Sequence, residues 1–292
     1  MEVLQVIQLG SWDESIPEPM QAQAMESLEI GKVLFLPSLC FPILPEEAGL
    51  LTPRFAAGKA KNISFDIHSG RLRGTVADGA DSQRLKTLLS RFAAQTLSLV
   101  DRMLPRYQSA LEKGRTSFRP VEIQGRVSSY RKDDTRLHVD AFPATPVQDR
   151  RILRVFSNVN PNAEDRVWRV GEPFEAMARV FLPQARNQFW GEPDILRMLR
   201  ITKSRRTPYD HIMLELHNRM KADMKYQSAV EQREMRFPAG STWLTFTDQV
   251  SHAAMSGQHC LEQTLYLPVD AMADSSRSPL RILEHLSGSR LV

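Results

Sequence analysis

Seven residues, Leu137-His138-Val139-Asp140-Ala141-Phe142-Pro143, constrain this chain more than any other stretch. On an extended strand alternate side chains point to one face, so His138 and Asp140 can converge on one point. A neutral imidazole and a carboxylate suit a first-row divalent metal. With a second histidine they make the facial triad of non-haem Fe(II) oxygenases. Taken alone, a His-x-Asp pair more often belongs to a surface or structural pair. A second stretch changes the balance. Gly240-Ser-Thr-Trp-Leu-Thr-Phe-Thr-Asp-Gln-Val-Ser-His252 reads as a turn glycine, a strand, and a histidine past the strand's end. That layout is the distal ligand position of a double-stranded β-helix, and the 112 residues after Asp140 leave room for the intervening strands and one long insertion.

The other histidines fit less well. His259 competes with His252, but it follows Gly257 in what reads as a turn. His217 borders a helical stripe of Met213, Leu216 and Met220 and reads as a core or edge residue. His68, His211 and His285 have no partner at ligand spacing.

Arg151-Ile-Leu-Arg-Val-Phe-Ser-Asn-Val159 reads as a strong strand. Its alternation puts Arg154 between Ile152 and Phe156, an apolar setting that is unusual for arginine. A structural arginine would pair there with a carboxylate. A functional one would clamp the far carboxylate of 2-oxoglutarate, which the planar guanidinium suits. Many oxygenases of this class place that arginine about ten residues beyond the distal histidine, where this chain has Glu262 and Gln263. Arg154 is therefore the expected clamp, with Gln263 as a second cosubstrate contact. Tyr130, Arg131 and Arg136 flank the metal motif and are candidate substrate contacts, or else part of a charged turn.

The chain has 292 residues, 42% hydrophobic and 25% charged, as expected of a globular protein. A formal charge of +4 is too small to argue for nucleic acid, but it is compatible with an anionic substrate or membrane surface. Two cysteines, Cys40 and Cys260, imply neither a zinc site nor a disulfide framework. The N-terminus lacks a basic start and a small-residue cleavage site, so a cytoplasmic protein with at most peripheral membrane contact is expected. A basic cluster of Arg197, Arg200, Lys203, Arg205 and Arg206 is either a solvated helix end or a receiver of phosphate or lipid headgroups.

The periodicities predict a strand over 32–36, a long helix over 82–113, a β-compatible stretch over 121–130, and helices through 172–200 and after Pro208. The final strands are expected over 242–247 and 263–267. The expected fold is α+β, one domain over 1–292. Residues 1–120 form a strand and helix support. Residues 121–270 form a double-stranded β-helix (jelly-roll, cupin-like) core with a helical insertion near 172–230, and 271–292 form a C-terminal helix.

Several stretches together resemble one family. Arg131-Lys-Asp-Asp-Thr-Arg-Leu-His-Val-Asp-Ala-Phe-Pro143 is similar to the metal motif of the bacterial Kdo hydroxylases, Fe(II)/2-oxoglutarate dioxygenases acting on 3-deoxy-D-manno-oct-2-ulosonic acid of lipopolysaccharide. Residues 151–161 with 167–173, 203–211, 246–254 and 278–284 are similar to the same family. The resemblance implies a double-stranded β-helix using Fe(II), 2-oxoglutarate and dioxygen. It implies His138, Asp140 and His252 as iron ligands. The implied reaction hydroxylates carbon 3 of Kdo to give Ko, with succinate and carbon dioxide as coproducts. The implied partner is Kdo-lipid A, or the lipopolysaccharide inner core, at the cytoplasmic face of an anionic inner membrane. Oligomerisation stays open. Competing readings are an oxygenase of another anionic substrate, a Zn(II) hydrolase on the same three residues, and a metal-free sugar-binding β-helix.

Overall fold

The computed structural model describes residues 2–292. In chain order the strands and helices are β1 (Leu4–Val6), α1 (Glu18–Glu29), β2 (Val33–Leu36), β3 (Ile63–Asp66), β4 (Arg71–Arg73), α2 (Gly79–Met103) and β5 (Glu112–Arg119). They continue with β6 (Arg150–Asn158), β7 (Arg166–Val170), α3 (Phe174–Phe181), α4 (Glu192–Met198), α5 (Pro208–Ala222), α6 (Met224–Ala229), β8 (Arg233–Phe237), β9 (Thr242–Phe246), β10 (His252–Ser256), β11 (Cys260–Pro268) and α7 (Pro279–Ser287). Eight strands form one sheet in the order β1-β2-β9-β6-β11-β5-β3-β4, and three form a second in the order β10-β7-β8.

Strand alternation decides how these layers stack. On β6, Leu153 and Val155 face one way and Ile152, Arg154 and Phe156 the other. Leu153 and Val155 join Leu244, Phe246, Leu261 and Leu265 in a core packed against α1 and α2. From α2 that core takes Leu85, Leu88, Leu89, Phe92, Leu99, Val100 and Met103, a stripe at helical spacing. The opposite face of the large sheet meets the small sheet. Phe156, Trp243 and Cys260 pack there against Trp168, Met235 and Phe237. Phe237 and Trp243 stack with ring centroids 4.1 Å apart, and Trp168 meets Trp243 edge-on at 5.7 Å. The result is a double-stranded β-helix in an α+β fold. α3, α5 and α7 close one end of it over Val139 and Ile152.

Several expectations need correction. The long helix stops at Met103 rather than 113, because Pro105 lacks an N–H and pushes Leu104 out of helical geometry. Residues 112–119 are a strand instead, so β-structure of the central sheet begins before 121. Strands β1 to β5 share one sheet with β6, β9 and β11, so the support and core sections are continuous. Residues 121–130, read as β-compatible, carry no strand. The expected helix through 172–200 is two helices, α3 and α4, separated by a turn and loop over 182–191.

Candidate metal centre

The site is built by one short backbone pairing. His138 and His252 form an antiparallel bridge outside the named ladders. The His138 N–H donates to the His252 carbonyl at 3.0 Å, and the His252 N–H donates back to the His138 carbonyl at 2.9 Å. Residues that exchange both bonds stand directly opposite, so their side chains leave the ladder on the same face. The two rings are 4.6 Å apart, centroid to centroid. Asp140 is two residues on and projects to that face as well. Its N–H donates to the Thr247 carbonyl at 2.8 Å, which ties the motif to the end of β9. Ligand atoms of His138, Asp140 and His252 all lie within 4.8 Å of one another, and all three residues are buried.

Hydrogen bonds orient both rings. Nδ1 of His138 is 2.8 Å from the Arg136 carbonyl, and Nδ1 of His252 is 2.8 Å from the Val250 carbonyl. A carbonyl only accepts, so Nδ1 carries the proton in each ring and Nε2 keeps its lone pair. Burial, then the neighbouring His252, hold the pKa of His138 well below its ordinary value, and burial lowers that of His252. Both imidazoles are therefore neutral at pH 7, the form that binds a metal. Burial alone would raise the pKa of Asp140, but the Arg154 guanidinium and then His252 hold it down at about 2. Asp140 Oδ2 is buried and accepts no hydrogen bond. Two free imidazole nitrogens beside a buried carboxylate oxygen that accepts no hydrogen bond fit a divalent first-row metal.

The triad opens into a cleft of about 270 Å³. Six cations line it, Lys61, Arg119, Arg131, Arg154, Arg166 and Lys221, against two carboxylates, Asp134 and Asp140. A larger cavity, about 480 Å³, lies beside Val170–Glu175 and contains none of the triad. The three candidate ligands lie in the smaller one.

Arg154 reaches the cleft from β6. Its Nη1 lies 3.2 Å from Asp140 Oδ2 and 3.6 Å from Glu262 Oε1, while its Nε is buried without a partner. Gln263 does not reach it. Strand alternation turns Gln263 to the α2 side with Leu261 and Leu265, where its Oε1 accepts from the Thr116 hydroxyl at 2.6 Å. Arg131 lines the cleft. Tyr130 and Arg136 do not, because the Arg136 guanidinium is taken up by Asp133 and by the Lys221 carbonyl. His259 is remote from the triad, in a left-handed backbone conformation and stacked near Phe118.

Five groups that line the cleft are absent from the sequence-based expectations for the site: Lys61, Arg119, Arg166, His217 and Lys221. His217 and Lys221, one turn apart on α5, both line the cleft. The His217 ring meets His138 edge-on at 5.1 Å, and its Nδ1 is held by the Val139 carbonyl at 2.8 Å. The signal was available: the i, i+4 pair flanks the apolar stripe of α5. Arg119 and Arg166 had no such signal, since they arrive from β5, not recognised as a strand, and from β7.

A family described as 3-deoxy-D-manno-oct-2-ulosonic acid (Kdo) hydroxylase matches residues 11–290. The chain belongs to the Kdo hydroxylase family. The crystal structure of the Kdo hydroxylase KdoO in complex with cobalt(II), a non-haem Fe(II) α-ketoglutarate-dependent dioxygenase, is 47% identical to it. The match covers 100% of this chain and 98% of that one with a TM-score of 0.97. KdoO in complex with α-ketoglutarate and Fe(III) is 46% identical over the same shares, with a TM-score of 0.96. A third KdoO structure holds succinate and Fe(III), at 46% identity, the same coverage and a TM-score of 0.96. A search of curated proteins finds no match.

Proposed function

We propose that this Kdo hydroxylase is an Fe(II)- and 2-oxoglutarate-dependent dioxygenase that hydroxylates carbon 3 of lipid A-linked Kdo to give Ko. His138, Asp140 and His252 would hold the iron. Bound iron with 2-oxoglutarate supplies the oxidising chemistry, in which one oxygen atom goes to the sugar and the other to succinate, with release of carbon dioxide. The single observation that carries this reading is the conjunction of a buried two-histidine, one-carboxylate face with a cleft holding six cations against two carboxylates. The cosubstrate is a dianion and Kdo is a sugar acid, so both need cationic partners when they leave water. The chain's task is to position these anions beside the metal face and to exclude water. His217 and Trp168 wall that face with apolar and aromatic surface. The substrate's lipid anchor is the reason to expect work at the cytoplasmic face of the inner membrane.

Within this reading Arg154 meets the far carboxylate of 2-oxoglutarate. In the structure it is balanced by Asp140 and Glu262. Once Asp140 spends its charge on a cation, Arg154 is free to take another anion. Arg154→Ala is expected to raise the apparent 2-oxoglutarate constant at least tenfold, about 1.4 kcal/mol, with iron binding kept. Arg154→Lys returns the charge without the fork and recovers only part. A 2-oxoglutarate titration of succinate formation at saturating iron measures this. An unchanged constant moves the clamp to Arg119 or Arg166.

Succinate release that depends on added Kdo-lipid A tests the reaction class. A Zn(II) hydrolase on the same residues would release none.

A further inference from the structure

Between α3 and α5 the chain presents a surface that neither the core nor the metal centre uses. Phe189 is 78% exposed and Trp190 101%. The next helix and its C-terminal cap add Ile195, Met198 and Leu199 at spacings of three and four, so they share one face, and all are more than half exposed. Ile201 follows, also exposed. Isolated exposed apolar residues are ordinary, but six within thirteen residues are not. Cations are interleaved with them. Arg186, Arg197, Arg200 and Lys203 are exposed, and among the described residues the ion pairs of this stretch are made by Arg205 with Asp194 and Arg206 with Glu192, not by these four side chains. Residues 186–206 hold six cations and two carboxylates, an excess equal to the +4 of the whole chain. Charge is thus concentrated here, while the remainder is neutral.

Arg200 also takes a conformation that favours another residue. It closes α4 with φ of 55°, the left-handed position where glycine is the easy choice. An arginine stands there despite the strain.

We propose that residues 186–206 are the surface on which the protein lies against an anionic lipid bilayer. Aromatic and aliphatic side chains would enter the interfacial region, and the arginines and lysine would meet anionic headgroups. A second copy of this chain fits less well, because two such faces would bring like charges together. Among the described residues no helix is long and apolar enough to cross a membrane, so the contact is a peripheral one. The surface is linked to the metal motif. The Lys203 N–H donates to the Ala144 carbonyl at 3.0 Å and Arg206 Nη2 to the Pro143 carbonyl at 2.9 Å, three to four residues beyond Asp140. The inference rests on the lipid-linked substrate reading for its purpose, but its test does not depend on turnover.

The test is co-sedimentation of the full chain with phosphatidylcholine vesicles, with and without phosphatidylglycerol, together with tryptophan emission. Trp12, Trp168 and Trp243 are buried, so Trp190 dominates any change in emission. Binding is expected only with the anionic lipid, weakening with salt, with a blue shift that Trp190→Ser removes along with at least tenfold in partition. Arg200→Gly relaxes the backbone, so it should keep or raise Tm while lowering partition about fivefold, the effect of one interfacial charge. Trp190→Ser should leave turnover of a water-soluble Kdo saccharide unchanged. Equal binding to neutral vesicles, or full binding by Trp190→Ser, would overturn the proposal. So would concentration-dependent dimerisation lost in Trp190→Ser without vesicle binding, which assigns the face to a second copy. Loss of saccharide turnover by the wild type with vesicle binding intact would count against the proposed reaction and leave the membrane surface standing.

Discussion

His252→Ala is expected to abolish turnover, by on the order of 10³-fold or more, and to lose iron binding with it, while His259→Ala keeps most of both. Partners that only orient metal ligands typically cost about 10–100-fold when removed, and a ligand itself costs more. The geometry explains the contrast between the two histidines. His252 stands opposite His138 across two reciprocal backbone hydrogen bonds. Those bonds belong to the main chain and survive the substitution, so the fold should persist. His259 lies elsewhere, against Phe118. His138→Ala and Asp140→Ala should behave as His252→Ala does. Anaerobic iron titration, with Tm as the control for folding, checks all four variants. Full iron binding by His252→Ala with loss in His259→Ala would reverse the assignment.

Asp248→Ala is expected to lower stability by about 3–5 kcal/mol, because it strands a buried arginine. Arg151 is fully buried, and its Nε donates to Asp248 Oδ2 at 2.7 Å. Its Nη2 donates to Gln249 Oε1 at 2.6 Å, and its guanidinium lies 4.0 Å from the centre of the Phe246 ring. This arginine is on the α2-facing side of β6, opposite to Arg154, and therefore cannot serve as a reserve clamp for the cosubstrate. Its work is structural, and it bears on the site. The turn it holds, 247–251, supplies the Thr247 carbonyl that takes the Asp140 N–H and the Val250 carbonyl that orients the His252 ring. Asp248→Ala should accordingly weaken iron affinity by about 10–100-fold besides lowering Tm by roughly 5–15 °C. Replacing the pair together, as Arg151→Met with Asp248→Leu, should recover much of the stability, since neither charge is then left alone. Thermal unfolding and iron titration of the single and double variants separate the two effects. A single variant with unchanged Tm would remove the pair from the account of the fold.

The metal face was legible because its information is local. Two candidate ligands two residues apart need only a strand, and the third comes one turn after a strand that a turn glycine precedes, where it opens β10. The strand carrying Arg154 was legible for the same reason, since β6 alternates cleanly. β5 was not. Its residues, Glu112-Lys-Gly-Arg-Thr-Ser-Phe-Arg119, are largely polar, and its only large buried apolar side chain is Phe118. An apolar rhythm from α2 also runs on through Leu104 and Tyr107, both buried, which obscured where the helix ends. The cations of the cleft were harder still. Lys61, Arg119, Arg166 and Lys221 come from four separate parts of the chain, and only the closed barrel brings them together. Gln263 was misplaced by one position of alternation: Glu262 faces the cleft side and Gln263 the helices.

The most direct test is mass spectrometry of lipid A–core from cells with and without this protein. The expected result is a gain equal to the mass of one oxygen atom on a Kdo residue, present with the wild type and absent with Asp140→Ala. An unshifted Kdo with the wild-type protein present, iron-loaded and supplied with 2-oxoglutarate and dioxygen, would contradict the proposed hydroxylation.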